Sequence, residues 1–330
     1  MQNYQSLFTD GYLKGAFGDE FESYVATKDQ AILERLQRWA NRDTLKETSD
    51  EHGFISNFFE ALWGYTPNGH ADPETGFQVY PQYPIARAGQ GGGTGKADLA
   101  LAYFGRKDVQ DTVQVVCEFK DIRSGLDAPQ KRKGNDRSPV QQCADYLKES
   151  RAKLFGNEPI QPKWAIVTDM NEFRLYFWGR MPAQCQRFVI VGKTDGLSPL
   201  MGGSKASQFQ RFVFWRLFQA DMLLTIGGAC RLEQMLGFQW KTERNLENDF
   251  YKNYRAFRER LYSALCKYNP DFQGTRGELV RYSQRIVDRL IFVLYCEDMG
   301  KSLDFPQNLL RDVLREISIS AHYLLTSVQN

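Results

Sequence analysis

The side chains in this sequence best placed to do chemistry are an Asp at the start of one apolar strand and a Glu and a Lys at the end of the next. They are Asp98, Glu118 and Lys120, within GKADLALAYFGRKDVQDTVQVVCEFK from Gly95 to Lys120. Val113, Val115, Cys117 and Phe119 alternate with Gln114, Val116, Glu118 and Lys120. A period of two sets Glu118 and Lys120 on one face and turns Phe119 into a core. A hairpin turn centred on Asp108 sets position 98 opposite position 118, each ten residues away. Opposed residues have Cβ atoms about 4.5–5.5 Å apart. Two carboxylates that close repel, and one takes up a proton unless a cation sits between them. Their oxygens suit Mg2+, with the Phe119 carbonyl as a further ligand, and Lys120 stands where it orients or activates a water. Singly, Asp98 or Glu118 reads as an ordinary surface acid; the joint pattern is what points to metal-assisted chemistry.

Three stretches of different texture must position these residues. Residues 1 to about 75 read as helical: Asp29 to Ala40 carries Ile32, Leu33, Leu36 and Trp39 on one stripe, and Glu51 to Trp63 carries Phe54, Ile55, Phe58, Phe59 and Leu62 at helical spacing before Gly64. From about 76 to 195, short β-like runs are expected at 97–104, 112–120, 163–168, 172–178 and 187–191, with a tight turn at Asp169, Met170 and Asn171. A helix from Ser138 to Leu154 interrupts them, Ser138 being a good cap and Pro139 suited to the first position. The sheet is therefore expected to be mixed, with a helix crossing over it. From about 205 the chain is helical again, with long amphipathic patterns at 246–265 and 278–299; Gly202-Gly203-Ser204 reads as the linker before them.

An Asp followed by an apolar strand ending in Glu-x-Lys resembles the metal-site signature of the PD-(D/E)xK nucleases. The proline that family carries before the Asp is Ala97 here. Gln142 and Tyr146, four apart on the next helix and so on one face, match the Gln-x-x-x-Tyr of several branches, where it braces the site and the scissile phosphate. Many relatives place a Glu of an early helix near the metal; Glu51 and Glu60 both qualify by position, with Glu51 preferred because Glu-x-x-Phe opens the helix. The resemblance implies a restriction-endonuclease-like α/β core, Mg2+ (with Mn2+ as a substitute) held by Asp98, Glu118 and Phe119, and double-stranded DNA as the partner. From Phe119 to Lys153 there are nine Lys or Arg against five Asp or Glu. Lys131, Arg132, Lys133 and Arg137 are the candidate clamp on the DNA backbone, flanking the duplex with the loop from Gly89 to Gly95.

The runs CEFKDIRSGLDAPQKRKGNDRSPVQQCADYLKES and KWAIVTDMNEFRLYFW, with LENDFYKNYRAFRERLY and SQRIVDRLIFVLYCEDMG further on, are similar to the N-terminal nuclease and connector region of type IIG-like restriction–modification enzymes. The likeness extends from about Glu51 to Gly300 and implies a nuclease domain at 1–203 followed by a helical connector at 204–330. It implies a partner as well: a methyltransferase and target-recognition region on the same or a separate chain. No Asn-Pro-Pro-Tyr-type motif exists, Asn269-Pro270-Asp271-Phe272 having one proline, so the chain is expected to be a fragment or split subunit that does not itself methylate DNA. The rival expectation is a catalytically inactive nuclease-like module that binds DNA and docks a methyltransferase. On the helix from Tyr282 to Met299, the stripe Ile286, Leu290, Val293 and Leu294 is expected to be buried, in the helical region or against such a partner.

Composition narrows the rest. The 330 residues are 42% hydrophobic, 25% charged and 14% aromatic, which excludes general disorder. The net charge of +2 names no partner. GQGGGTGKAD is not a phosphate-binding loop, because position 90 is Gln and position 97 is Ala. His52, His70 and His322 have no ligand spacing, and the six Cys form no Cys-x-x-Cys pair. No eighteen-residue apolar run and no signal-like start occur, so a cytoplasmic protein without a membrane partner is expected.

Overall fold

The computed structural model describes residues 4–42, 47–72, 74–89, 92–109, 111–122, 124–129, 136–152, 160–192, 199–299 and 305–317. The chain divides into two compact units, 1–240 and 241–330. The first is built on a six-stranded sheet whose strands lie side by side in chain order: β1 (Phe77–Ile85), β2 (Gly95–Phe104), β3 (Val115–Phe119), β4 (Trp164–Thr168), β5 (Glu172–Phe177) and β6 (Gln186–Val189). Every neighbouring pair is antiparallel except β3 and β4. A parallel joint needs a crossover, and α4 (Pro139–Ala152) supplies it. Its start is a capping box: Ser138 Oγ accepts the Gln141 N–H at 3.2 Å and Gln141 Oε1 accepts the Ser138 N–H at 2.9 Å. The architecture is thus mixed α/β, as expected.

Alternation along the strands feeds two cores. Leu99, Leu101, Val115, Cys117, Phe119, Ile166, Phe173 and Leu175 pack with helices α1 (Asp10–Thr27), α2 (Asp29–Ala40), α3 (Glu47–Phe54) and α5 (Lys205–Leu217), α3 running on into a π-helical turn at Ile55–Glu60. Ala100, Ala102, Val116, Ala165, Val167 and Tyr176 pack beneath α4 through Val140, Cys143 and Leu147. Gly64, at φ +77°, closes the π-helical segment with its N–H on Glu60 O, as its position predicts.

The boundary expected at 203 falls inside this unit. Gly202-Gly203-Ser204 is a packed corner: a Cβ on Gly202 would stand 2.2 Å from Ser207 Oγ, and Ser204 caps α5 by accepting the Ser207 N–H at 3.1 Å. Beyond it, Phe209, Phe212 and Phe214 enter the same core as the sheet. After the short α6 (Ala220–Leu223), the unit ends at Trp240, within α7 (Arg231–Tyr268).

The second unit holds the rest of α7 and α8 (Arg276–Met299). Tyr254 OH donates to Asp288 Oδ1 at 2.9 Å across the pair. On α8 the buried residues are Leu279, Ser283, Val287 and Cys296, whereas Ile286 and Leu294 of the expected stripe are 36% and 50% exposed. Ser283 can be buried because its hydroxyl is satisfied within the helix, on Val280 O at 2.8 Å. No helix among the described residues is long and apolar enough to cross a membrane.

Candidate functional site

The β2–β3 ladder pairs Leu101 with Val115, Ala100 with Val116 and Leu99 with Cys117. Continuing that register sets Asp98 against Glu118, the opposition expected of a turn around Asp108. The turn holds Gly105 N–H on Asp111 Oδ1 at 2.8 Å and an Arg106–Asp108 ion pair at 2.5 Å. Phe119 fixes the rotation of the strand end, its ring lying 5.0 Å from Phe54 and 5.9 Å from Phe59. The neighbours Glu118 and Lys120 must then point to the opposite face, toward α4.

There the three polar side chains meet. Asp98 Oδ2 accepts the Phe119 N–H at 2.6 Å. Lys120 Nζ donates to Glu118 Oε1 and to the Phe119 carbonyl, both at 2.6 Å. Asp98, Glu118 and Lys120 are only 8%, 1% and 8% exposed. A carboxylate as deeply buried as Glu118 needs a counter-charge, and the Lys120 ammonium provides it.

Helix α4 closes over this spot. Cys143 Sγ lies against Val116 O at 3.7 Å, and one turn along Gln142 Nε2 donates to Tyr146 OH at 2.7 Å. Tyr146 is nearly buried, and its ring fills the space a Cβ on Gly95 would need, 2.9 Å from Cε1. Burial, then the negative charge of Glu118 and more weakly of Asp98, raises the Tyr146 phenol above its ordinary value. Burial and the same charges hold Cys143 well above the usual thiol range. Both stay protonated at neutral pH, so Tyr146 can offer a hydrogen bond toward the carboxylates' end of the sheet.

Of the two early glutamates, Glu51 is tied to the strand that borders Asp98. Strand β1 pairs Pro81 with Leu99 and Tyr83 with Ala97, which leaves Gln82 opposite Asp98. Gln82 takes a left-handed φ of 51° and donates through Nε2 to both Glu51 oxygens, at 3.1 and 3.3 Å. Glu60 instead accepts from Ser56 Oγ at 3.1 Å on its own turn. Nothing in the sequence signalled Gln82, because Pro81 and Pro84 interrupt the β pattern around it.

Lys131, Arg132 and Lys133 lie outside the described residues. Arg137 donates through Nη1 to Asp145 Oδ2 at 2.7 Å at the start of α4. The chain leading into the basic loop is anchored by Leu126, buried under α4, and by Asp127. Arg174 on β5 grips Asp127 through Nη1–Oδ1 at 2.7 Å and Nη2–Oδ2 at 2.9 Å, and the Tyr4 hydroxyl donates to the same carboxylate. Burial alone would raise the Asp127 carboxyl, but the Arg174 and Tyr4 hydrogen bonds and the Arg174 charge hold it below the usual range. These partners, 47 and 123 residues apart in sequence, have no sequence signature.

The donor set at Asp98, Glu118 and the Phe119 carbonyl consists of hard oxygens without sulfur or imidazole, and so fits Mg2+ or Mn2+. It stops at two side chains: no group of three or more His, Cys, Asp or Glu placed to hold a metal ion occurs among the described residues. Comparison with known proteins finds no matching family model, no curated relative and no solved structure of significant similarity.

Proposed function

We propose that the chain is a Mg2+-dependent endonuclease hydrolysing phosphodiester bonds of double-stranded DNA. The observation that carries this reading is the β2–β3 register that sets Asp98 against Glu118, with the Lys120 ammonium on Glu118 Oε1 and the Phe119 carbonyl. A bound Mg2+ would polarise the phosphoryl oxygen and lower the pKa of a water. Asp98, Glu118 and the Phe119 carbonyl would hold that ion. Lys120 orients the water and stabilises the charge that grows on the phosphate, while Gln142 and Tyr146 brace the scissile group and Glu51 supports the site through Gln82. Lys131, Arg132, Lys133 and Arg137 neutralise backbone phosphates without reading bases.

The wider reading rests on sequence resemblance: a restriction-endonuclease-like core serving a cytoplasmic restriction–modification system, with a methyltransferase and target-recognition region elsewhere. A second reading is a nuclease-like module that binds DNA without cutting, and it is favoured by the absence of a third acidic ligand among the described residues. Incubation of the purified chain with supercoiled plasmid and Mg2+ or Mn2+ separates the two. Nicking or linearisation that disappears in Lys120→Ala supports the nuclease; DNA binding with no cleavage under any metal supports the module.

A further inference from the structure

The Lys120 ammonium sits on two oxygens at once, Glu118 Oε1 and Phe119 O, each at 2.6 Å. Glu118 and the Phe119 carbonyl are two of the three groups assigned above to the metal, and the third, Asp98, has Oδ2 on the Phe119 N–H at 2.6 Å. Mg2+ takes oxygens at about 2.1 Å. An ion reaching that same pair of oxygens from the side the ammonium occupies would therefore overlap its nitrogen. Two cations cannot share that position.

Lysine is the side chain suited to give way. Its charge is a compact ammonium on a flexible four-carbon stem, without the planar fork that locks an arginine to its carboxylate. Its backbone is fixed independently, since Lys120 N–H donates to Thr168 O at 2.9 Å and extends the β3–β4 ladder. The stem can swing while the strand end stays in place.

We propose that Lys120 is the resident counter-ion of the carboxylate pair, competing directly with the divalent cation, so that metal loading and release of the ammonium are a single event. This inference rests on the metal reading above and adds an order to it. Without the metal, Lys120 neutralises Glu118 and keeps the buried pair folded. With the metal, the freed ammonium becomes available to a substrate phosphate. Metal affinity is thereby held down by the residue the chemistry later needs.

Calorimetric titration of Mn2+ into the full chain, without DNA, tests the competition against Lys120→Ala. Removing a positive charge this close to the ligands should tighten Mn2+ binding by about tenfold or more. Wild type and variant binding equally, or the variant more weakly, overturns the competition and leaves the metal reading standing. No binding by either removes both. Because Lys120→Ala leaves Glu118 buried without its cation and can unfold the protein, the wild type supplies an independent readout. Reductive methylation of Lys120, followed by peptide mass spectrometry, should be slow in the metal-free protein and several-fold faster with saturating Mn2+. A rate that Mn2+ leaves unchanged overturns the proposal.

Discussion

Arg211 and Lys120 are both cations buried beside a carboxylate, and they are held in opposite ways. Arg211 grips Asp29 through Nε–Oδ1 and Nη2–Oδ2, both at 2.8 Å, and spends Nη1 on the carbonyls of Leu200 and Gly202 at 2.7 and 2.6 Å. Gln208 Nε2 approaches the same carboxylate at 3.3 Å. That pair clamps α2 to the corner before α5, and every part of it is planar, bidentate and interior. Lys120 touches one oxygen of Glu118 and a carbonyl, next to a second acid that faces Glu118 across the ladder. The first arrangement resists exchange of partners, whereas the second invites it. Buried charge by itself therefore does not mark a site; the proposed site rests on a flexible cation beside two opposed acids.

The comparison breaks most visibly in cleavage. Asp98→Asn or Glu118→Gln should lower Mg2+-dependent cleavage by about 100-fold or more, the scale of removing a preorganised electrostatic group. Circular dichroism should show Asp98→Asn folded, since its carboxamide keeps the shape of the acid, whereas Glu118→Gln leaves the buried Lys120 ammonium without its counter-charge and should lower stability to urea as well. Arg211→Met should do the reverse. It leaves Asp29 buried without its cation, so urea unfolding should report a loss of about 3–5 kcal/mol, while cleavage per folded molecule stays unchanged.

The clamp also has a pH signature. Burial pushes the Asp29 carboxyl up, but the Arg211 hydrogen bonds and charge outweigh that and hold it below the usual range. A depressed folded value contributes stability that is complete above the unfolded pKa of about 3.9 and is lost as pH falls through the folded value. The stability gap between wild type and Asp29→Asn should accordingly be widest near neutrality and shrink in acid, as followed by denaturant midpoints between neutral and acid pH. The smallest effect concerns the basic loop. Replacing Lys131, Arg132, Lys133 and Arg137 with Ala should weaken DNA affinity for every sequence alike and flatten its dependence on salt.

How much of this was legible in the sequence depends on the range of the forces involved. Helix α2 has the bounds its apolar stripe predicts, Asp29–Ala40, and the start of α4 follows from Ser138 and Pro139. The Asp98–Glu118 opposition follows from strand period and turn position, both local quantities. Strand β1 was hidden because Pro81 and Pro84 argue against a strand, although as an edge strand it tolerates them. Helix α1 falls in the stretch that reads as helical, but Gly11, Gly15 and Gly18, which lower helix propensity, leave it without bounds. The corner at Gly202 reads as a linker until Ser207 and Arg211 are seen packed against it. Gln82 is set opposite Asp98, and Arg174 against Asp127, only in the completed fold, which no local pattern encodes.

The central claim is that Asp98 and Glu118 together make one divalent-cation site. Calorimetric titration of Mn2+ into wild type, Asp98→Asn and Glu118→Gln tests it most directly, because it needs neither DNA nor turnover. Saturable binding by the wild type that is lost in both variants is the predicted result; equal binding by all three proteins would contradict the claim.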